Sequence, residues 1–311
     1  MEKNWKVTHI PSQLGRTAVV TGTGGLGFED ALALANAGAS VVIAGRDAAK
    51  GAAAVERINR TVGRANATFE HLDLASLDSI RVFADTLRAT RTQVDVLVNN
   101  AAVMTPPTRR ETADGFELQF GTNFLGHFAL TGQLLPLLRR SRRARVVSVS
   151  SVAARRGAID LSDLQSQRRY DPMGAYGQSK LACLMFAIEL QRRSAAAGWG
   201  IESMAAHPGI SRTDLLPNGS GRRSIPGLLR RYAWFLFQPA AQGALPTLFA
   251  ATSPEAQPGE YYGPDRLGEL RGVPALARIP GQALDARMAE RLWDEAEKLT
   301  STSYAQPGVL A

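Results

Sequence analysis

Apolar and polar residues alternate in two different ways along the first two-thirds of the chain. Short runs rich in Val, Ile and Ala predict strands that are buried on both faces of a sheet. The predicted strands are Thr17–Thr21, Ser40–Ala44, Thr68–His71, Val94–Asn99, Arg145–Val149 and Gly200–Ala206. Between them, apolar residues at helical spacing predict helices over Glu29–Ala37, Ala48–Val62, Leu77–Thr90, Asp114–Arg139 and Gly174–Ala197. This order predicts an α/β fold with a doubly wound parallel sheet flanked by helices.

The alternation stops in the last third of the chain. Residues 214–242 mix Gly, Pro, Ser and Arg with a group of aromatic residues, Tyr232, Trp234, Phe235 and Phe237. Beyond them, the pattern predicts a helix at Gly243–Thr252, a short strand at Tyr261–Tyr262 and a final helix at Gln282–Leu299. No repeat and no low-complexity linker divides the chain, so we interpret residues 1–311 as a single domain.

Charge and composition exclude several classes of function. The net charge of +8 comes from 36 Lys and Arg against 28 Asp and Glu, and the excess is scattered arginine pairs such as Arg192–Arg193. A nucleic-acid binder would gather this charge on one face with aromatic residues between, so we expect a charged surface and no nucleic-acid partner. A single cysteine, Cys183, allows neither an intrachain disulfide nor a cysteine-based zinc site, and we expect no metal.

Apolar runs are too short for a membrane helix, which needs roughly 20 apolar residues. The first 15 residues also lack the apolar core of a secretory signal. The expected location is therefore cytoplasmic, without a transmembrane segment.

A glycine-rich sequence, Thr21-Gly-Thr-Gly-Gly-Leu-Gly27, joins the first predicted strand to the first helix. Glycines at such a turn let the backbone approach a pyrophosphate, and the helix N-terminus offers free N–H groups. This context predicts a Rossmann-type dinucleotide site formed by Gly22, Thr23, Gly25, Leu26 and Gly27. A tight turn that serves packing alone is the alternative.

Arg46 follows the second predicted strand, where an NAD site usually has an acidic residue that holds the ribose hydroxyls. An arginine can instead pair with the 2′-phosphate of NADP. The sequence therefore favours NADP(H), with NAD(H) still possible, and a surface arginine without a ligand is the alternative.

Tyr176 and Lys180 are four residues apart in a predicted helix, which places them on one face about 6 Å apart along the axis. A free tyrosine has a pKa of about 10, and a nearby ammonium lowers that pKa by favouring the phenolate. The pair is a candidate for acid–base catalysis, although this spacing is common by chance.

These motifs belong to a longer ordered set. From the N-terminus it contains Thr21-Gly to Gly27, Asp73-Leu74, Asn99-Asn-Ala-Ala102, Asn123, Ser150-Ser151, Tyr176 to Lys180 and His207-Pro-Gly with Thr213. The set resembles the short-chain dehydrogenase/reductase family over the chain to about residue 213. Ile159-Asp-Leu-Ser-Asp-Leu164 and Ser179-Lys-Leu-Ala182 are most similar to its retinol-dehydrogenase-like and WW-oxidoreductase-like branch.

The resemblance implies an NADP(H)-dependent oxidoreductase that interconverts a carbonyl and an alcohol on a small hydrophobic substrate. It implies that Tyr176 is the acid/base, that Ser151 holds the substrate oxygen and that Asn123 orders a water which relays protons toward Lys180. Lys180 would also lower the tyrosine pKa and bind the nicotinamide ribose. The remaining cofactor contacts implied are Asp73, Leu74, Asn100, Ala101, Pro208, Gly209, Ile210 and Thr213. A homo-oligomer built on the two long helices is also implied.

The loop departs from the family pattern because only Thr23 and Gly24, instead of three residues, separate Gly22 from Gly25. We expect Gly24 to relieve the strain by adopting a positive φ. Altered phosphate contacts leave an alternative function open, a dinucleotide-binding regulatory protein with weak or no turnover.

Several candidates have a plainer interpretation beside the functional one. Ser150 and Ser151 are also suited to capping the turn after their strand, and Asn123 to bonding buried backbone. His127 is interpreted as a packing residue and His207 as a residue that shapes its loop. Residues 214–242 are interpreted as a segment covering the substrate, with core packing or contact with a membrane surface as alternatives.

Overall fold

The computed structural model describes residues 4–211 and 238–304. The strands are β1 (Thr17–Thr21), β2 (Ser40–Gly45), β3 (Ala67–His71), β4 (Val96–Asn99), β5 (Ala144–Val149), β6 (Ile201–Ala206), β7 (Tyr261–Arg266) and β8 (Arg271–Leu276). The helices are α1 (Gly25–Asn36), α2 (Ala48–Val62), α3 (Leu77–Thr90), α4 (Leu118–Phe120), α5 (Gly126–Leu138), α6 (Pro172–Ala197), α7 (Ala240–Gly243), α8 (Leu245–Thr252) and α9 (Ala286–Thr300). A π-helical turn, Gly121–Leu125, joins α4 to α5, and 3₁₀ turns lie at Val7–His9, Val152–Arg156 and Gly281–Leu284.

One sheet contains all eight strands in the order β3-β2-β1-β4-β5-β6-β7-β8. Neighbouring strands are parallel from β3 through β7, which confirms the predicted doubly wound α/β fold. The strand order reverses between β1 and β4. In such sheets, a ligand binds outside the carboxyl ends of the strands at this reversal.

The predicted bounds of the strands and helices differ from those in the structure mainly at the ends of the elements. Strand β4 begins at Val96 and not at Val94, because the Val94 N–H bonds the Leu137 carbonyl instead of the sheet. The helix predicted from Asp114 begins only at Leu118, because the residues before it form a turn closed by the Thr112 N–H and the Phe116 carbonyl. The final helix is preceded by a separate 3₁₀ turn.

Strand β8 was not predicted from the sequence. It pairs antiparallel with β7, and Pro264 lies opposite Pro274 in the pair. Proline lacks the backbone donor of a ladder, so a run that contains it is a poor strand candidate except at a sheet edge, where β8 lies. The hairpin turn contains three residues with positive φ, Leu267, Gly268 and Glu269.

Helices cover the sheet on both faces. The clusters of buried apolar residues place α1, α2 and α8 on one face and α3, α5, α6 and α9 on the other. Helix α6 begins where the Asp171 side chain accepts the Gly174 N–H, with Pro172 in its first turn, and ends at Gly198 with a φ of 64°. This long helix carries the predicted acid–base pair and is buried along most of its length.

The outer sides of α5 and α6 are covered by the end of the chain itself. Trp293 of α9 lies 5.0 Å from Phe128 of α5 and 5.7 Å from Phe186 of α6, measured between ring centroids. The Tyr304 hydroxyl donates to the Phe128 carbonyl at 2.7 Å. The two long helices therefore already have an intramolecular partner on the surface through which the resemblance implies assembly.

We accordingly expect the full chain to be monomeric, with a mass near the 33.4 kDa of one chain. Size-exclusion chromatography with light scattering measures this directly. A dimer or tetramer whose cross-links join α5 or α6 of two copies would contradict the expectation.

Several of the arginines form ion pairs with carboxylates. The buried Glu189 binds both Arg192 and Arg193, and Glu202 binds both the exposed Arg143 and the buried Arg145. In residues 4–211 and 238–304, no helix is both long and apolar enough to span a membrane.

Candidate active site

The glycine loop lies at the reversal of the sheet, between β1 and α1. A Cβ on Gly27 would lie 2.5 Å from the Gly22 carbonyl oxygen, and one on Gly22 would lie 2.8 Å from Asn100 Nδ2. A Cβ on Gly24, by contrast, would meet no described atom within 4 Å. The loop is thus packed tightly on its inner side and open on its outer side, where the free N–H groups of the first turn of α1 begin. These residues fit a pyrophosphate.

The expectation for Gly24 was wrong. Gly24 is extended, with a φ of −141° and a ψ of 177°. The positive φ values belong to its neighbours Gly22 (102°) and Gly25 (54°). With one residue fewer, the chain turns at these two glycines instead, and the pair Thr23-Gly24 spans the distance between them.

Thr23 lies against Gly45, the residue before Arg46, at the adenosine end of the predicted site. A Cβ on Gly45 would lie 2.7 Å from Thr23 Cγ2, so the threonine lies over the end of β2 next to Arg46. Arg46 is exposed, and the neighbouring Asp47 is engaged as the cap of α2, where it accepts the Lys50 N–H. The cationic group next to the loop is therefore available to an anionic ligand.

Asp73 and Leu74 follow the carboxyl end of β3, and Asn100 and Ala101 follow that of β4, while their contact with a cofactor stays a prediction. Asp73 Oδ1 accepts the Ala75 N–H at 3.0 Å, which orders the turn after β3. Asn100 Nδ2 donates to the Thr21 carbonyl at 2.8 Å. The side chain of Asn100 thus holds the start of the glycine loop against β4.

Ser151 lies beside the phenol of Tyr176. Tyr176 is buried, 6% exposed, and burial raises its pKa to about 12, while the neighbouring Ser151 side chain acts in the opposite direction. Ser151 also caps the turn after β5, where its Oγ accepts the Ala153 N–H at 3.2 Å. The capping interpretation of Ser151 therefore applies, and its hold on the substrate oxygen stays a prediction. Ser150 does not cap the turn, because its hydroxyl donates to the Lys180 carbonyl at 2.7 Å.

Lys180 lies one turn after Tyr176 on the same helix. Its Nζ donates to the Val149 carbonyl at 2.8 Å and lies 6.0 Å from the centroid of the Tyr176 ring. Burial lowers the pKa of Lys180 itself. The predicted lowering of the Tyr176 pKa by this ammonium is not seen, because burial raises that pKa and the effect that opposes burial comes from Ser151.

Asn123 lies in the π-helical turn between α4 and α5. Its side chain accepts the Val103 N–H at 2.8 Å and donates to the Val103 carbonyl and to Ser179 Oγ, each at 3.0 Å. Its carbonyl oxygen contacts His127 Nδ1 at 2.9 Å and Cys183 Sγ at 3.1 Å. The contacts join Asn123 to the helix that carries Tyr176 and Lys180, and the predicted water relay remains a prediction.

The loop after β6 is held by the β7–β8 hairpin. His207 Nε2 lies 2.9 Å from Glu269 Oε2, and Glu269 also pairs with Arg155 from the turn after Ser151. The Ile210 N–H donates to the Leu270 carbonyl at 2.9 Å, and a Cβ on Gly209 would collide with that carbonyl. His207 is buried and shapes its loop, as predicted.

Sequence reasoning missed three residues here, Arg155, Glu269 and Tyr261. The Tyr261 hydroxyl lies 3.5 Å from the Ser151 carbonyl oxygen, and burial raises its pKa. Glu269 reaches the site only because the unpredicted strand β8 turns the chain back. No local motif marks any of the three.

Thr213 lies outside the described residues, as does most of the predicted covering segment 214–242. Ser211 and Gln238, the described residues on either side, pair with each other, and Gln238 Nε2 donates to the Pro208 carbonyl. Pro208, Gly209 and Ile210 are partly buried beside them.

Comparisons with known proteins find relatives over most of the chain. A family model described as short chain dehydrogenase matches residues 16–222. Polyprenol dehydrogenase of Mus musculus is 41% identical over 298 residues, which cover 94% of this chain and 85% of that protein. Retinol dehydrogenase 13 of Mus musculus is 40% identical over 297 residues, with the same two coverages.

Two solved structures are similar as well. The crystal structure of a putative uncharacterized protein from Mycobacterium paratuberculosis is 41% identical, has a TM-score of 0.80 and covers 97% of this chain and 99% of its own. An NADP active-site complex of RhlG from Pseudomonas aeruginosa is 26% identical, has a TM-score of 0.64 and covers 88% and 98%.

Proposed function

Since the chain belongs to the short-chain dehydrogenase/reductase family, in its retinol-dehydrogenase-like branch, it is an oxidoreductase, and we propose that it interconverts a carbonyl and an alcohol with NADP(H). The observation that carries the proposal is the grouping of the buried Tyr176 with Ser151 beside it and with Lys180 Nζ 6.0 Å from its ring centroid. It lies at the carboxyl edge of the sheet, the edge that also carries the glycine loop after β1.

The residues on this edge would hold the cofactor along its length. The glycine loop and the first turn of α1 would bind the pyrophosphate, Arg46 the 2′-phosphate, and Pro208–Ile210 the carboxamide end, with Thr213 beyond the described residues. When bound, the nicotinamide supplies or accepts the hydride. Preference for NADP(H) is supported by the exposed cation at Arg46 and by the NADP complex of the relative that is 26% identical.

Tyr176 would move the proton. In reduction its phenol donates to the substrate oxygen, and in oxidation it takes the proton back from the hydroxyl. Ser151 would hydrogen-bond the same oxygen and so hold it next to the phenol. Lys180 has three N–H donors and uses one on Val149, which leaves two for the ribose hydroxyls.

The proposed substrate is a small molecule with an alcohol or aldehyde group on an apolar body. Relatives about 40% identical carry the names polyprenol dehydrogenase and retinol dehydrogenase. Polyprenol and retinol are both alcohols of this type. The test is titration of the purified chain with NADPH and NADH by fluorescence, followed by turnover with retinaldehyde, a polyprenal, short aldehydes, ketones and secondary alcohols. Absence of nicotinamide-dependent turnover across this panel would overturn the proposal.

Arg46→Ala is expected to weaken NADPH binding by about 10- to 100-fold, because a charge-assisted contact with a phosphate is worth about 1.5–3 kcal/mol. NADH has no 2′-phosphate, so its affinity should stay nearly unchanged. Dissociation constants from fluorescence titration measure both.

Arg64→Ala serves as the matched control, because Arg64 is an exposed arginine before β3, at the opposite edge of the sheet. An equal loss of NADPH and NADH affinity in Arg46→Ala would show that Arg46 does not bind the 2′-phosphate.

A further inference from the structure

His127 lies on α5, one turn after Asn123, and it is 4% exposed. Both ring nitrogens have a partner. Nδ1 lies 2.9 Å from the Asn123 carbonyl oxygen, and Nε2 lies 2.9 Å from Thr21 Oγ1 at the end of β1. One imidazole therefore bridges the strand that leads into the glycine loop and the π-helical turn of Asn123.

The partners fix the protonation of this ring. A carbonyl oxygen only accepts, so Nδ1 carries the hydrogen, and Nε2 accepts from the Thr21 hydroxyl. That hydroxyl also lies 3.2 Å from the Val98 carbonyl, but Nε2 is the nearer acceptor. Burial lowers the His127 pKa to about 4, so the ring stays neutral throughout the physiological range.

Each end of the bridge continues into the site. Thr21 Oγ1 accepts the backbone N–H of Asn100 at 2.9 Å and of Ala101 at 3.0 Å, the residues after β4. At the other end, Asn123 donates to Ser179 Oγ, which donates to the Tyr176 carbonyl at 2.8 Å. A series of hydrogen bonds, continued through Asn123 itself, thus runs from the backbone after β4 to the helix of the acid–base residue.

The series is not a proton path. At Thr21 it ends on two backbone amides, which do not give up protons during turnover, and the pKa of the imidazole keeps it from being charged. The series instead fixes a distance, because it holds the end of β1 at a set separation from the π-helical turn that contains Asn123.

We propose that His127 is a positioning residue, a strut between Thr21 and Asn123 that aligns the glycine loop with the helix carrying Tyr176. The inference rests on the proposed function. Hydride and proton transfer need the bound cofactor and the Tyr176 phenol in the correct relative position. A misplacement of about 1 Å costs about 10²-fold in rate.

His127→Phe removes both contacts while keeping an aromatic ring in the space. We expect kcat to fall about 10- to 100-fold, with weaker NADPH binding and an unchanged pH profile of kcat. His127→Asn retains a donor for the Asn123 carbonyl, so it should recover part of the lost kcat. An unchanged kcat in His127→Phe would overturn the positioning role of His127. A shifted pH profile of kcat would overturn it as well.

Amide hydrogen exchange supplies a readout that needs no turnover. In the cofactor-free His127→Phe protein, the amides of residues 21–27 and 100–101 should exchange faster than in the wild type, and His127→Asn should lie between. Unchanged exchange in both variants would overturn the proposal. If the wild type itself showed no turnover, the proposed function would fail. The exchange data would still show whether His127 positions the glycine loop.

Thr300→Val is the control for lost stability alone. Thr300 is buried in α9, and its hydroxyl donates to the Ala296 carbonyl at 2.7 Å, away from the carboxyl edge of the sheet. The variant should lower Tm without changing kcat or the exchange of the loop. A kcat loss in Thr300→Val as large as in His127→Phe would reduce the effect of His127 to general stability and overturn its positioning role.

Discussion

Tyr176→Phe is expected to reduce turnover by about 10³-fold, the magnitude of a lost general acid. Phenylalanine fills the same buried space beside Ser151 but has no proton to transfer, so NADPH binding should be nearly unchanged. Turnover assays and fluorescence titration on the same preparation measure the two effects separately. A regulatory protein that binds the dinucleotide without chemistry would show little activity to lose.

Tyr262→Phe is the matched control. Tyr262 is a buried tyrosine of β7, and its hydroxyl accepts the Gln257 N–H at 2.7 Å, outside the site. This variant should lose stability and keep its activity. Similar kinetics for the two variants would argue against Tyr176 as the acid.

The pH dependence follows from the sign of the tyrosine pKa. Because burial raises that pKa to about 12, the neutral phenol needed for reduction is present throughout pH 6–9. The rate of the reduction step should therefore be flat over this range. Oxidation needs the phenolate and should rise about tenfold per pH unit. Single-turnover measurements of the hydride step test both directions. A reduction rate that decreases as pH rises from 6 to 9 would contradict the expectation.

Asp30→Asn is expected to stabilise the protein at neutral pH. Asp30 lies in α1 with no exposed surface, and neither carboxylate oxygen has a hydrogen-bond partner among the described residues. Burial, and secondarily the charge of Glu29, raises its pKa well above the usual value. The native state therefore holds a proton that the unfolded chain releases above about pH 4.

The wild type should accordingly lose stability as pH rises above about 4, by about 1.4 kcal/mol per pH unit until the native-state pKa is reached. The asparagine side chain does not titrate, so the advantage of Asp30→Asn should be small at pH 4 and grow toward pH 7. Thermal unfolding across this range measures the difference, at roughly 2–4 °C in Tm per kcal/mol.

Asp78→Asn is the control, because Asp78 is a surface carboxylate in the first turn of α3. Its removal should change Tm little and not in this pH-dependent manner. A constant Tm difference between Asp30→Asn and the wild type from pH 4 to 7 would show that the carboxyl is not buried in the way described.

Local pattern was enough for the parallel part of the fold. Most of the strands β1 to β6 are short apolar runs, and the structure keeps the predicted alternation of these strands with helices. Strand β8 carries Pro274 and five exposed or half-exposed residues, so its composition opposes a strand, and it is stabilised by pairing with β7 at the edge. The predicted helix from Asp114 failed for a related reason, since capping and turn contacts decide where a helix begins.

Motif spacing likewise located Tyr176 with Ser151 and the glycine loop with Asn100. It missed Glu269 and Arg155, whose contact joins residues more than a hundred positions apart. The expected Tyr176 pKa was also wrong for the chain alone, because helix spacing reports the distance to Lys180 and not the loss of water around the phenol. Burial is set by the whole tertiary structure, and short sequence patterns do not encode it.

The edge hairpin that carries Glu269 offers a route to altered selectivity that spares the catalytic side chains. Leu267, Gly268 and Glu269 already occupy left-handed backbone, and Glu269 contacts both His207 after β6 and Arg155 after β5. Lengthening or reshaping this turn would act on both loops at once, while Tyr176 and Lys180 keep their positions on α6. Libraries aimed at new substrates should therefore begin at residues 267–270.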